Sequence, residues 1–430
     1  MSSNVKPPAP NPSDFWATLA PWQRAMLTAV RDAARAEGGE AYLVGGPVRD
    51  LLHGSASLRD IDLLTTVDAR AVARRLASTT PAIVDKTTDF GTATVHLPTD
   101  DGGAVMDIAT ARTETYPRPG ALPVVSIPAP VAADLHRRDF TINAMALPIT
   151  TDGFGALLDP TDGLADLRDG VVRVLHDASF RDDPTRLYRA LRYAARFGFA
   201  LAPETTALFS KALANDALAT ISPDRKRHEL GLGLREPDRV ACFAAFDTFG
   251  LLRATSPVLI WDDWVARRVR LIGNETWPVW AFFVCRQGEG AAERLIADIP
   301  LGVLWPKIRG LVRVWEERGV IASAQNLSSL RPLLEKQPGR VVLILLDGEA
   351  AAVHAARFYA QLDHINQQDR QRGRSVGNYL KQLGVTPGPV YRDILNALRD
   401  ARLDGDAETT DACDGFVRRY VERQRLGPAG

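Results

Sequence analysis

Two short stretches carry residues whose types and spacing can do chemistry. In Leu43-Val44-Gly45-Gly46-Pro47-Val48-Arg49-Asp50 a glycine pair ends an apolar run, and Arg59-Asp60-Ile61-Asp62-Leu63 follows soon after. Successive strand side chains point to opposite faces, so Asp60 and Asp62 share one face while Ile61 and Leu63 share the other. Two carboxylates that close repel unless a cation sits between them, and Mg²⁺ takes one or two carboxylates together with phosphate oxygens. Gly45 and Gly46 let backbone N–H groups approach a phosphate chain closely. A lone Gly-Gly is more often a plain turn, and a lone Asp-x-Asp more often a solvated strand end. In this order, with apolar flanks on both, they point to metal-assisted phosphoryl or nucleotidyl transfer.

Three further stretches add to this chemistry. Asp107 lies inside the apolar run Ala104-Val105-Met106-Asp107-Ile108-Ala109, and a charge in a core strand needs a partner or a metal. His136-Arg137-Arg138-Asp139-Phe140-Thr141-Ile142-Asn143 brings two cations, a carboxylate and an amide to the start of another apolar run. Such residues can grip phosphate and a ribose hydroxyl, or they can be ordinary solvated charges at the mouth of a strand or helix. Arg181 to Arg196 reads as a helix. At about 100° per residue, Arg186, Arg189, Arg192 and Arg196 fall within an arc of roughly 120°, beside the apolar arc of Leu187, Leu191 and Ala194. A row of guanidiniums suits a triphosphate or an RNA backbone. A solvated basic face paired to Asp182 and Asp183, with Asp183 capping the helix ahead of Pro184, stands level with that reading on this segment alone.

The elements that must position these residues follow from the hydrophobic pattern. Residues 14–40 read as amphipathic helix broken near Pro21. Short apolar strands at 42–44, 61–64, 93–97 and 105–109 surround a helix at 68–78. A loop with five prolines runs from Arg112 to Arg137. Strand signals nearly vanish from Ala165 onward, and helices follow one another with turns at Gly198, Ser222-Pro223, Asn274 and Pro387-Gly388-Pro389. Eight tryptophans, several of them between Trp261 and Trp305, are expected to pack a helical core rather than to stack bases.

Composition narrows the class. The chain has 430 residues, 46% hydrophobic, with 52 basic and 52 acidic side chains. No global basic field announces nucleic acid, so RNA must be met by local patches. Three widely spaced cysteines, Cys242, Cys285 and Cys413, argue against a disulfide framework or a cysteine zinc site. No leader and no membrane-spanning run is read, and a cytoplasmic protein is expected.

Taken together the stretches resemble the class II tRNA nucleotidyltransferase and bacterial poly(A) polymerase family, within the polymerase-β-like nucleotidyltransferases. The resemblance covers roughly residues 42–230. Gly45 to Asp50 with Asp60-Ile61-Asp62 resembles the family's metal and triphosphate motif. Arg137 to Ala144 resembles its ribose motif, and Asp159-Pro160-Thr161-Asp162-Gly163-Leu164-Ala165-Asp166-Leu167 its neck hinge. Asp182-Asp183-Pro184-Thr185-Arg186 resembles its base-reading motif, with Asp182 where Glu is usual. Ser222-Pro223-Asp224-Arg225 through Glu229-Leu230 resembles the next helix motif. A weaker likeness joins Leu383-Gly384-Val385-Thr386-Pro387-Gly388-Pro389 and Leu403-Asp404-Gly405 to the family's tail.

Residues 1–13, rich in Pro and small polar residues, read as a disordered tail, and the resemblance implies an α+β fold with a mixed-sheet, polymerase-β-like head at 14–150. A helical neck at 151–230, a helical body at 231–360 and a helical tail at 361–430 that contacts tRNA would follow. It implies two Mg²⁺ ions on Asp60 and Asp62 with Asp107 in support. Triphosphate binding would fall to Gly45, Gly46, Arg49, Arg189 and Arg192, and ribose binding to Asp139, Arg138 and Asn143. Asp183 and Arg186 would read the base of ATP or CTP. The acceptor would be tRNA, held by its acceptor arm and elbow, with no stable protein partner and no membrane. Relatives add CCA, CC, the terminal A or poly(A), and the product stays open among these. The apolar segment Gly120-Ala121-Leu122-Pro123 and the Asp-Asp-Pro-Thr-Arg form resemble a subgroup containing A-adding enzymes, while a loop that is not visibly shortened weakens a CC-only reading. A non-catalytic RNA-binding relative is the alternative of a different class. Asp60, Asp62, Asp139, Asp183 and Arg186, all present, argue against it.

Overall fold

A computed structural model describes residues 12–54, 61–98, 103–288, 290–371 and 375–426. The chain forms two compact units, Met1–Thr255 and Ser256–Gly430. The expected disordered tail falls largely on residues outside those described. The helix expected from residue 14 begins at Pro12, and it breaks before Pro21 as the sequence indicates, giving α1 (Pro12–Thr18) and α2 (Pro21–Ala36). Proline tolerates a first helical turn because the N–H it lacks would be unpaired there.

The first unit is built on a mixed sheet of seven strands. In chain order these are β1 (Ala41–Val44), β2 (Ile61–Thr65), β3 (Ile83–Thr88), β4 (Thr92–Leu97), β5 (Ala104–Thr110), β8 (Ala146–Thr150) and β9 (Gly153–Phe154), in spatial order β3-β4-β5-β2-β1-β8-β9. The proline-rich stretch expected as loop holds two more strands, β6 (Thr113–Thr115) and β7 (Val124–Ser126), paired as a separate hairpin, and the short helix α5 (Val131–His136). Between the sheet strands lie α3 (Gly46–Leu52) and α4 (Ala69–Thr79).

Burial explains the layering. Helix α2 buries Met26, Leu27, Val30, Ala33 and Ala34, and α4 buries Ala69, Val72, Ala73 and Leu76. Both are three-and-four spacings that make one apolar stripe, and both stripes lie on the sheet. Asp68 opens α4 by accepting the Arg70 N–H. Strand β2 runs parallel to β5, which pairs Asp62 with Asp107 at the same level. Asp107 is not in the core expected for it. Met106 and Ile108 point inward, while Asp107 is exposed on the other face and accepts a hydrogen bond from Thr94 Oγ1 at 2.7 Å.

Beyond the sheet come α6 (Gly163–Asp169), α7 (Ser179–Asp182), α8 (Thr185–Phe197), α9 (Pro203–Ala214), α10 (Pro223–Gly233) and α11 (Arg239–Thr248). The two-residue strands Val171–Val172 and Ala200–Leu201 are the last in the described chain. The segment read as a hinge is tightly braced. Asp159 accepts the N–H groups of Gly163 and Leu164, and Asp166 accepts from Thr141 Oγ1 at 2.7 Å and from Arg173 Nε.

The second unit is helical throughout its described residues. Trp280 is buried, but Trp261, Trp264, Trp277, Trp305 and Trp315 are half-buried, so phenylalanine and aliphatic side chains supply most of this core. Arg268, only 2% exposed, lies 3.6 Å from the Trp264 ring centroid and donates to the carbonyls of Leu345, Asp347 and Trp264. It satisfies carbonyls that the helix ending at Leu345 leaves open. Asp404, in the segment likened to a tail motif, accepts from the Ser328 N–H and hydroxyl. No helix among the described residues is long and apolar enough to cross a membrane.

Gly163 is a sharp test of this packing. A Cβ there would overlap the Thr141 carbonyl, a backbone atom that cannot rotate away. Gly163→Ala is expected to destabilise the first unit by about 1–3 kcal/mol, read as a lowered urea midpoint with an unchanged slope.

Candidate active site

Strand β1 ends at Val44, and the turn that follows depends on glycine. Gly45 sits at φ +71°, ψ −133°, which side-chain-bearing residues rarely adopt. A Cβ there would lie 2.8 Å from Arg138 Nη1. Gly46 carries no such strain and starts α3, with Pro47 in the first turn. One turn on, Arg49 is buried. Its Nη1 donates to Asn143 Oδ1 at 2.6 Å and its Nη2 to Asp50 Oδ1 at 2.8 Å, and its guanidinium lies 4.7 Å from the Phe197 ring centroid. Asp62 faces the same space from β2. Its neighbour Asp107 stands beside it in register without lining that space. Asp60 lies outside the described residues.

The second wall comes from Arg137 to Asn143 and from α8. Asp139 is buried and takes four donors: Arg189 Nε at 2.8 Å, Arg189 Nη2 at 2.5 Å, Asn143 Nδ2 at 3.0 Å and the Phe140 N–H at 2.9 Å. Burial alone would push this carboxyl up. The Arg189 charge and the Asn143 hydrogen bond outweigh it and hold the pKa at about 2. Asn143 thus joins Arg49 on one side to Asp139 on the other. Arg138 lines the space, gives Nη2 to Asp134 at 3.1 Å, and has a buried Nε with no partner among the described residues.

The third wall is the start of α8. Asp183 Oδ1 accepts from the Thr185 N–H, from Thr185 Oγ1 at 2.7 Å and from Arg225 Nη2 at 2.7 Å. Arg186 is buried, and donates Nη1 to Ser179 Oγ at 2.6 Å and Nη2 to the Arg137 carbonyl at 2.9 Å. Each terminal nitrogen keeps a second hydrogen. Arg189 also lines the space, clasped to Asp139. Arg192 does not. Its guanidinium is buried between Glu229 and Glu236, so it fastens α8 to α10 and to the turn after it instead of meeting a triphosphate. Arg196 pairs with Glu236 too but reaches the space.

Several functional supports carry no sequence signal of their own. Asp134, fully buried, accepts from Arg137, Arg138 and the Arg112 N–H. Glu114 accepts from Arg112, Arg137 and the Tyr116 hydroxyl. Burial, then the Glu114 charge, pushes the Tyr116 hydroxyl up to about 12, so it stays a donor. These acids hold Arg137 still, and the Arg137 carbonyl in turn orients Arg186.

The walls enclose one cleft of 1030 Å³ within the first unit, lined by seven arginines and five carboxylates. The excess of guanidinium and the backbone turn at Gly45 suit a polyanion. The carboxylates and amide suit hydroxyl and amino groups. Among the described residues no group of three or more His, Cys, Asp and Glu side chains makes a metal cluster.

Comparison with known proteins agrees with this geometry. The Poly A polymerase head domain family matches residues 41–173, which run from β1 to the base of the helical region. The chain is 37% identical over 429 residues to a CCA-adding enzyme of Leuconostoc mesenteroides subsp. mesenteroides, aligning 93% of this chain with 96% of that one. It is 31% identical over 398 residues to an A-adding tRNA nucleotidyltransferase of Geobacter sulfurreducens, covering 86% of this chain and spanning 44% of that longer relative. The Thermotoga maritima CCA-adding enzyme complexed with tRNA superposes with a TM-score of 0.72 and 25% identity, over 96% of this chain and 99% of that one. The first unit therefore carries a nucleotidyltransferase head. Within that class the chain belongs to the CCA-adding and A-adding tRNA nucleotidyltransferase family.

The Asp139–Arg189 pair gives a signed prediction. A carboxyl held at about 2, against 3.8 in the ordinary state, stabilises the fold fully above about pH 4 and loses that contribution as pH falls through 2. In Arg189→Leu the opposing charge is gone and burial pushes the carboxyl up, so it can neutralise itself in mild acid. The variant is expected to lose about 1–3 kcal/mol at pH 7 and distinctly less at pH 4, as measured by urea unfolding at both pH values.

Proposed function

We propose that this protein transfers a nucleotidyl group from ATP to the 3′-hydroxyl of tRNA, and from CTP as well where it builds the whole CCA end. The observation that carries the reading is the cleft of the first unit, in which Asp62, the glycine turn, Asp139, Asn143, Asp183 and the arginines of α8 line one space. In the reaction the 3′-oxygen attacks the α-phosphorus, the bond to the β-phosphate breaks, pyrophosphate leaves, and the hydroxyl proton passes to solvent.

Each part of the cleft has a task. The Gly45-Gly46 backbone and Arg49 cradle the triphosphate, and Arg138, with its unpartnered Nε, stands beside them. Arg189 offers Nη1 while its other nitrogens stay on Asp139. Asp139 accepts the ribose 2′-hydroxyl, and Asn143 keeps that carboxylate in register with Arg49. Asp183 accepts from the exocyclic amino group of adenine or cytosine while Arg186 donates to the adjacent ring nitrogen. Guanine and uracil present a carbonyl and a ring N–H there, which leaves buried groups unpaired. Protein side chains thus stand in for a template strand.

Asp62, with Asp107 level beside it across β2 and β5, offers the hard carboxylate oxygens that Mg²⁺ takes, and Asp60, the second carboxylate expected from the sequence, lies outside the described residues. Mg²⁺ bound there would neutralise triphosphate charge and acidify the attacking hydroxyl. Arg192 is left out of the triphosphate set, because Glu229 and Glu236 hold it. The helical remainder would grip the acceptor arm and elbow of tRNA by shape and phosphates, and a cytoplasmic protein is in keeping with a tRNA substrate.

The direct test incubates the purified protein and Mg²⁺ with tRNAs ending before CCA, after C and after CC, each with one nucleoside triphosphate. ATP addition to the tRNA ending in CC is expected. Absence of incorporation on every tRNA, or equal use of GTP and UTP, overturns the reading. Asp62→Ala is expected to lower turnover more than ~10²–10³-fold with tRNA binding retained.

Sugar choice tests a second contact. Asp139→Ala removes an interaction that only a ribonucleotide can make, so the ATP-over-dATP ratio of kcat/KM is expected to fall by about tenfold or more. An unchanged ratio would restrict Asp139 to holding Arg189.

A further inference from the structure

Arg225 does not line the cleft, yet it touches two of its supports. It stands in the first turn of α10. Its Nη2 donates to Asp183 Oδ1 at 2.7 Å, and its Nη1 donates to the Gly120 carbonyl at 2.9 Å. Gly120 lies in the segment that joins β6 to β7. Its exposed neighbours Pro117, Arg118 and Pro119 contrast with its own burial. The Gly120 N–H donates to the Asp182 carbonyl at 3.2 Å, and a Cβ on Gly120 would lie 2.6 Å from the Thr220 carbonyl. The connection is therefore seated on the residues around Asp183, and Arg225 is the clasp.

The hydrogen bonds on Asp183 have a further property. The Thr185 N–H, the Thr185 hydroxyl and Arg225 all converge on Oδ1. Thr185 lies two residues along the same chain and would follow any rotation of the local backbone. Arg225 is the donor that comes from another element and ties the carboxylate to a fixed outside point. With Oδ1 saturated, Oδ2 is the oxygen left for a base among the described residues.

We propose that Arg225 is a positioning residue for base selection: by spanning from the Gly120 carbonyl to Asp183 Oδ1, it holds the carboxylate in the orientation that turns Oδ2 toward the incoming base. This rests on the assignment of Asp183 to base reading above. A guanidinium is needed because its planar fork offers two separate nitrogens, whereas an ammonium is a single point that cannot span both acceptors. Global stability does not need the bond. The Arg225 side chain is 31% exposed, exposed ion pairs contribute little, and α10 is independently capped by Ser222, whose Oγ accepts the Arg225 N–H.

The experiment compares the full-length protein with Arg225→Ala and Arg225→Lys. It measures kcat/KM for ATP and for GTP on tRNA ending in CC, and the affinity for each nucleotide by calorimetric titration. In both variants the ATP-over-GTP preference is expected to fall by about tenfold or more, the range of a lost orienting hydrogen bond to a charged group. The change should be carried by KM and affinity, with kcat for ATP moving less. If Arg225→Ala loses its helical circular dichroism, Arg225→Lys alone decides. A folded variant that keeps the wild-type preference overturns the proposal and leaves the base-reading assignment standing. A wild-type protein that shows no preference between ATP and GTP overturns both.

Discussion

The constraint on which the first unit depends is electrostatic. Its cleft collects seven arginines, and guanidiniums so close would repel one another and scatter into solvent. What holds several of them is a set of interleaved carboxylates, buried or half-buried and mostly shared between two arginines. Asp134 serves Arg137 and Arg138, Glu114 serves Arg112 and Arg137, Asp139 serves Arg189, and Glu236 serves Arg192 and Arg196. A buried pair of this kind adds little net stability, since desolvation consumes most of the attraction. Its value is placement. Arg49, Arg137, Arg138, Arg186, Arg189 and Arg196 each have part of the guanidinium pinned to protein while the side chain lines the cleft, which is the arrangement a polyanion needs on arrival.

Much of this architecture is legible in the residues, for physical reasons that also explain the gaps. Strands β1, β2, β4 and β5 announce themselves as short apolar runs because at least one face is buried. Strand β3 does not, because it is an edge strand whose Asp85-Lys86-Thr87-Thr88 sequence is largely exposed. Strand β8 is masked by Pro148 in its middle, a residue expected to disqualify it. It survives as the neighbour of β9, where the sheet nears its edge. The hairpin β6–β7 hides among prolines because its strands are three residues each.

The site divides in the same way. Gly45 is readable because a backbone requirement is local to the turn. The arginines of α8 are readable as a row, but a helical wheel gives directions without destinations. Arg189 and Arg192 are three residues apart on nearly the same face, yet one meets Asp139 and the other is enclosed by Glu229 and Glu236, from far along the chain. Asp134 and Glu114 stand close in sequence to some of the arginines they hold, and Arg225 falls in the Ser222-Pro223-Asp224-Arg225 motif, but the contacts of Glu114 with Arg137 and of Arg225 with Gly120 and Asp183 arise only on folding. What a local pattern cannot carry is the identity of the opposite wall.

The placement of β1 between β2 and β8 has a temporal consequence. The Gly45 N–H is held by the Met145 carbonyl, and Val44 is paired with Ala146, so the glycine turn at the cleft is completed by a segment far downstream. Likewise Asp62 gains its level neighbour only when β5 docks beside β2. A ribosome delivers the chain from its N-terminus. The emerging polypeptide therefore carries every residue of the glycine turn long before that turn can take its working shape. Non-local pairing of this sort is slow to form, so the glycine turn is among the last parts of the sheet region to be shaped, after β8 has docked beside β1.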